Sequence, residues 1–292
     1  MLWRALNSAS VLWLVLAFLS VLVSLSLKIL RWDIFLRNYK VRSPLKRLVS
    51  AFFLGQAANI LLFIRGGELV RITVAHTKDR DDWAPITATI AIEKYLDLLF
   101  LVLLMVISIN SLPDIALQKL GTLRFVLILL TGILFLAVLI GPWVWQRYIK
   151  PKDWSGKYTN IGKKIDQFVQ ASLWLRDPGK LIPSLLVTIL IWVVMAVTNL
   201  LVFKALAIQL SWNAAILVMI LIYIGVLPAL MPGNIGPFTY FAQLALVPFA
   251  VQNEVAAAFA IILYFLVNLP PLVGAGIILL VPDNRGLIGE IR

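Results

Sequence analysis

From Ala205 to Asn253 the chain runs 49 residues without a charged side chain, and after Glu254 it runs another 28, Val255–Pro282, in the same way. Three more uncharged runs precede these: Ser10–Leu27 (18 residues), Phe125–Gln146 (22) and Leu181–Phe203 (23). About 20 apolar residues in a helix cross the hydrocarbon of a bilayer. Lipid offers no hydrogen-bond partners, so a spanning segment must be a helix or part of a closed barrel. The runs lack the alternating polar pattern of barrel strands. Charged residues make up 14% of the chain, against roughly 25% in soluble domains, and mean hydropathy is +0.95. These features predict an all-α integral membrane protein, a polytopic helical bundle in a single domain, 1–292. Spans are expected near 8–29, 84–109, 123–146, 181–204, 213–230 and 255–281, in a cell (inner) membrane.

There is no cysteine, and His76 is the lone histidine. Disulfides, thiolate nucleophiles, histidine–carboxylate metal clusters and serine triads are therefore not expected. The N-terminal apolar stretch is longer than a signal-peptide core, and Lys28 and Arg31 follow it without a small-residue cleavage site. It reads as the first span.

Charge sets the sidedness. Segment 28–47 holds seven basic residues against Asp33, and segment 147–180 holds eight against three acids. Together they carry +11 of the formal +12. Basic loops stay in the cytoplasm, so both segments are expected there. A nucleic-acid partner is not expected, because this charge flanks spans. Three apolar segments lie between the two basic ones: 48–76, 84–109 and 123–146. An even number of crossings is needed, so one segment should not cross. The candidate is 48–76, whose uncharged part, Leu48–Ile64, is followed at once by Arg65, Gly66, Gly67, Glu68 and Arg71. It reads as a re-entrant hairpin that enters from the cytoplasm and breaks at Gly66–Gly67, with the N-terminus outside and the C-terminus cytoplasmic.

A second interruption falls at Leu227-Pro-Ala-Leu-Met-Pro232-Gly233-Asn234-Ile-Gly236-Pro237, where three prolines and two glycines cannot share one straight helix. Segment 228–250 is read as a second re-entrant segment, with a plain loop between two spans as the alternative. Interrupted apolar segments in both halves of a chain mark the binding site in secondary transporters. The two breaks suggest oppositely oriented, inverted halves.

Ionised side chains at membrane depth are expensive, so they face a cavity or pair with one another. Two clusters qualify. One is Arg65, Glu68 and Arg71, with Glu68 in the first turn of a helix that opens at Gly67, where an anion is favoured. The other is Glu93, Lys94 and Asp97, with the two acids sharing one helix face. Arg65 and Arg71 are the expected cations for those acids. Either all these groups form a structural ion network, or at least one arginine serves an anionic ligand. Arginine suits phosphate through its planar fork, and a helix N-terminus adds N–H groups. A cytoplasm-facing cavity of this kind suits a phospholipid headgroup.

Here a resemblance enters. Asn59-Ile-Leu-Leu-Phe63-Ile-Arg65-Gly66-Gly67-Glu68-Leu-Val-Arg71 resembles the N-x3-P-x-R-x-G-E-x-x-R signature of the flippase-like transmembrane domain of lysylphosphatidylglycerol synthases. Glu93-Lys94-Tyr95-Leu96-Asp97 is similar to that family's E-R-x-x-D stretch, and Pro232-Gly233-Asn234-Ile235-Gly236-Pro237-Phe238 to its P-G-G-x-G-x-F stretch. The three occur in the family's order and spacing, and the resemblance covers nearly the whole chain. Phe63 replaces the signature proline, Lys94 replaces an arginine, and Thr239 stands where a glutamate often follows. A cationic headgroup would want that glutamate. In the synthases this domain moves an aminoacylated phospholipid to the outer leaflet, and a soluble domain makes that lipid. The chain reads as a free-standing member without the synthase domain.

The resemblance implies a membrane lipid transporter whose partners are anionic or aminoacylated phospholipids or a lipid-linked glycan. Asn59, Arg65, Gly67, Glu68, Arg71, Glu93, Lys94, Asp97, Pro232, Gly233, Asn234 and Gly236 would line its site. No catalytic residue, metal or cofactor is expected. Two alternatives stand beside it. One is a membrane-embedded enzyme acting on a lipid phosphate, with Glu93 or Asp97 as acid/base. The other is a non-catalytic membrane subunit for a separate lipid-modifying enzyme.

Overall fold

The computed structural model describes residues 8–62, 66–76, 83–109, 177–226 and 232–281, with positions 3 and 6 and scattered ones between 129 and 173. The described residues contain helices and no strand. Helix α1 is Val11–Asn38, α2 Leu45–Leu61, α3 Gly67–Ala75, α4 Trp83–Ile109, α5 Pro178–Ala205, α6 Trp212–Val226, α7 Ile235–Leu244 and α8 Asn253–Leu280. The 28-residue helices α1, α5 and α8 are each long and apolar enough to cross a bilayer. At 1.5 Å per residue each measures about 42 Å. Helix α4 has 27 residues and carries Glu93, Lys94 and Asp97 within it. This is an all-α membrane protein. The expected span 123–146 and the basic segment 147–180 fall mostly outside the described residues.

One difference from the sequence reading matters for the site. Residues 28–38, read as part of a basic loop, continue α1 without interruption. The loop is only 39–44, and it opens with Lys40 in a left-handed conformation (φ 60°). There the Val41 N–H returns to the Leu36 carbonyl, 3.0 Å away, closing the helix end. Charges near the end of an apolar run look interfacial in sequence; three of these, Lys28, Arg31 and Arg37, are helical.

The chain divides into two compact units. The first comprises Met1–Ile29, Leu45–Val74 and Ile189–Arg292. Its core is rich in alanine: Ala214, Ala215, Ala242, Ala245, Ala256 and Ala260 are buried alongside Phe203, Phe238 and Phe259. Lipid gives apolar helices little reason to associate through hydrophobicity alone, so close backbone approach between small residues carries the packing. Polar links add to it. The Asn199 amide donates to the Ala215 carbonyl at 2.9 Å, and the Ser20 and Thr198 hydroxyls lie 2.8 Å apart.

The second unit comprises Leu30–Pro44 and Ala75–Thr188. Buried Phe35, Ile92 and Leu96 form its described core, with Tyr95, Leu181 and Leu185 packed against them. The Trp32 indole N–H donates to the Thr89 hydroxyl at 3.0 Å.

Candidate functional site where two helix breaks meet

In the first unit α8 serves as a ruler. Helix α2 packs along it, with the Phe53 ring against Gly274. The last turn of α2 then reaches the Pro232–Asn234 turn. That turn leads into α7, which packs against α6, with Gly225 of α6 under the Phe241 ring. The Tyr264 hydroxyl donates to the Gly233 carbonyl at 3.0 Å. Tyr264 lies 11 residues into α8, about 17 Å from its start, and Gly274 about 15 Å further on. Helices α2 and α7 thus both pack on α8, and the end of α2 meets the Pro232–Asn234 turn beside Tyr264.

The residues at each tip explain its shape. Gly233 (φ 66°) and Asn234 (φ 48°) are both left-handed. Glycine has no Cβ to object, and asparagine is among the few other residues that tolerate this conformation. A Cβ on Gly233 would lie 2.6 Å from the Tyr264 hydroxyl and 3.7 Å from the Ile60 carbonyl oxygen. Asn234 is buried, and its side-chain oxygen has no hydrogen-bond partner among the described residues. At the other tip, α3 opens on Gly67 with Glu68 in its first turn. Its first N–H, on Gly67, donates to the Asn59 side-chain oxygen at 2.9 Å, capping the helix from across the hairpin. A Cβ on Gly67 would collide with the Gly55 carbonyl and stand 2.5 Å from the Asn59 amide carbon. Gly55 in turn leaves room for the Arg71 stem. The guanidinium of Arg71 lies 5.4 Å from the centre of the Phe52 ring, and the residue is 2% exposed.

The structure therefore collects Asn59, Gly67, Glu68, Arg71, Gly233 and Asn234 in one unit. Gly236 follows in the exposed first turn of α7. The backbone of Pro232 begins the turn. Arg65 lies outside the described residues. Gly55, Phe52 and Tyr264 belong to the same arrangement and were not singled out in the sequence. Small residues four apart, Ala51 and Gly55, were a readable sign of close helix approach. So was a lone tyrosine in the uncharged run from Val255 to Pro282.

Glu93, Lys94 and Asp97 belong to the second unit, and the cation there corrects the sequence reading. Arg31, which the sequence reading placed in a loop, lies at both acids. It donates to the two Asp97 oxygens at 2.7 and 3.0 Å and lies 3.5 Å from a Glu93 oxygen, with the Thr188 hydroxyl also at 3.5 Å. Arg31 is 1% exposed and Glu93 is buried, while Lys94 is exposed. The bidentate fork locks three helices, α1, α4 and α5, at this level of the unit.

No metal-binding group of acids and histidines exists among the described residues. No curated protein and no solved structure matches the chain. One family model does, that of the lysylphosphatidylglycerol synthase TM region, over residues 1–276. With nearly the whole length covered, the chain belongs to the lysylphosphatidylglycerol synthase TM-region family.

Proposed function

We propose that this protein moves a phospholipid, or a lipid carrying a linked headgroup, between the leaflets of a cell (inner) membrane. Family membership gives it a lipid-related role in a membrane. The observation that carries the transport reading is the meeting of the end of α2 with the Pro232–Asn234 turn, in the unit that also holds the buried Arg71. Helices α6 and α7 have 15 and 10 residues, about 22 and 15 Å, each short of the roughly 30 Å hydrocarbon core. Helices α2 and α3, at 17 and 9 residues, fall short as well. Each pair is a re-entrant hairpin. The α2–α3 pair opens to the cytoplasm, where the basic residues Lys46 and Arg47 begin it, and the α6–α7 pair opens to the opposite side. The long helices cross fully, so the topology is multi-pass.

Non-helical backbone is tolerated at membrane depth only against protein or a polar cavity, and here the Pro232–Asn234 turn lies against the last turn of α2 and Tyr264. Arg71 is the headgroup ligand. In the conformation described it is 2% exposed beside Phe52 and Gly55 of its own hairpin, so a lipid phosphate reaches it when that hairpin moves. The described contacts at the Pro232–Asn234 turn are the Tyr264–Gly233 bond, which ties the α6–α7 tip to α8, and the approach of the Ile60 carbonyl to Gly233. Such a joint suits alternating access.

Asp97 engaged by both its oxygens with Arg31 favours a structural role for that acid over proton transfer. This weakens the reading as a lipid-phosphate enzyme. Reconstitution of the purified chain in vesicles, with leaflet exchange of labelled phospholipid as the readout, tests the proposal.

A further inference from the structure

Between Lys180 and Glu254 the sequence holds one charged side chain, Lys204. It stands in the last turn of α5. Lys180, in the first turn, is 24 residues earlier, about 36 Å along the helix. That separation slightly exceeds the hydrocarbon thickness of about 30 Å. A crossing helix therefore sets its two lysines among the headgroups of opposite leaflets.

Three features surround Lys204. Its ammonium lies 4.6 Å from the centre of the Trp13 ring, which holds the cation in place while leaving N–H groups to donate. The start of α1 is fastened there, since the Ser10 N–H donates to the Ala205 carbonyl at 2.8 Å. A cavity of about 600 Å³ opens beside it, with Val197, Leu200 and Leu201 on its apolar side and Lys204, Gln209 and Ser211 supplying polar groups. Trp212, half exposed, also lines it, as aromatic residues do at a membrane interface. Among the described residues no carboxylate pairs with Lys204. A cation held by a ring, lacking an acid, and flanking an apolar cavity is complementary to an amphiphilic anion.

The geometry points to an anionic-phospholipid site. The headgroup phosphate sits on Lys204, with Gln209 and Ser211 as further donors, and the upper acyl chain lies against Val197, Leu200 and Leu201. The volume is in the range of small-ligand pockets, so it takes the headgroup end of a lipid rather than the whole molecule. That the site serves the leaflet away from the basic segments, as the receiving end of transport, rests on the topology proposed above. The binding does not.

The test uses the full-length purified chain in uncharged detergent, with phosphatidylglycerol and phosphatidylcholine titrated separately and bound lipid counted by native mass spectrometry. Phosphatidylglycerol binds the parent more tightly than phosphatidylcholine. Lys204→Gln weakens phosphatidylglycerol binding about five-fold, the worth of one lysine at an anionic surface. Lys204→Arg keeps it, which separates loss of the cation from loss of folding. Lys180→Gln, at the far end of α5, leaves it unchanged, and inorganic phosphate does not displace the lipid. Equal binding by the parent and Lys204→Gln overturns the proposal. So does equal loss in Lys204→Arg and Lys204→Gln, or displacement by phosphate alone. A chain that binds in this way but fails to exchange lipid between leaflets leaves this site standing and removes the transport reading.

Discussion

The Tyr264 hydroxyl donates to the Gly233 carbonyl at 3.0 Å, tying the long apolar helix α8 to the turn that precedes α7. The ring itself packs edge-on against Phe238, with centroids 5.4 Å apart. Tyr264→Phe keeps the ring and removes the bond. A loss of about 1 kcal/mol is expected, the net worth of a single buried hydrogen bond, read as a lower thermal transition in detergent. If the bond holds the α6–α7 tip in place during transport, lipid exchange should also change in rate. A variant matching the parent in both would show that the contact is incidental.

Gly67→Ala inserts a methyl group where the Gly55 carbonyl already stands. Helices α2 and α3 must then separate, at about 1–3 kcal/mol for an overpacked contact. Gly276→Ala is the control, because nothing lies within 4 Å of its added Cβ. It should be within about 1 kcal/mol of the parent, on the stabilising side through helix propensity. Thermal-shift measurements on the two variants check the ordering; a neutral Gly67→Ala would contradict the close crossing.

Arg31→Ala leaves Asp97 and Glu93 without the cation that holds them, and breaking a buried pair typically costs about 3–5 kcal/mol. Arg31→Lys should recover only part of this, since an ammonium cannot bond both Asp97 oxygens as the fork does. Asp97→Asn should lower the melting temperature as well. Added anionic phospholipid should stabilise the parent and Asp97→Asn equally, because the arginine released is Arg31 and not Arg71, the proposed headgroup ligand. A larger rescue of Asp97→Asn would return Asp97 to the ligand site.

The chain has no cysteine, so single cysteines report sidedness without background. A membrane-impermeant maleimide applied to intact cells, past any outer envelope, should label Gln209→Cys and not Lys46→Cys. The reverse pattern would invert the proposed topology and place the Lys204 cavity in the cytoplasmic leaflet.

The sequence announced the helical class and both breaks, because uncharged run length and clustered glycine and proline act locally. Gly66–Gly67 and Pro232–Gly233 needed no tertiary information. Arg31 was misread for the opposite reason. Its environment is made by residues 66 and 157 positions away, Asp97 and Thr188, and a charge at the end of an apolar run looks the same in sequence whether it meets water or an acid. Arg71 was legible as a charge beside a break, but its burial depends on Gly55 and Phe52, which carry no charge to draw attention. Lys204 was visible as an isolated charge, but its ring partner Trp13 is nearly two hundred residues away.

The most direct measurement is leaflet exchange of an acyl-chain-labelled anionic phospholipid in proteoliposomes, followed by an impermeant quencher of outer-leaflet label. The parent chain should make inner-leaflet label accessible faster than protein-free vesicles do. Arg71→Gln, at matched reconstitution and with unchanged helix content, should be slower by about ten-fold or more, the worth of a charge-assisted contact to the headgroup. Exchange by the parent no faster than in protein-free vesicles would contradict the transport account. Equal rates for the parent and Arg71→Gln would contradict the assignment of Arg71 as its headgroup ligand.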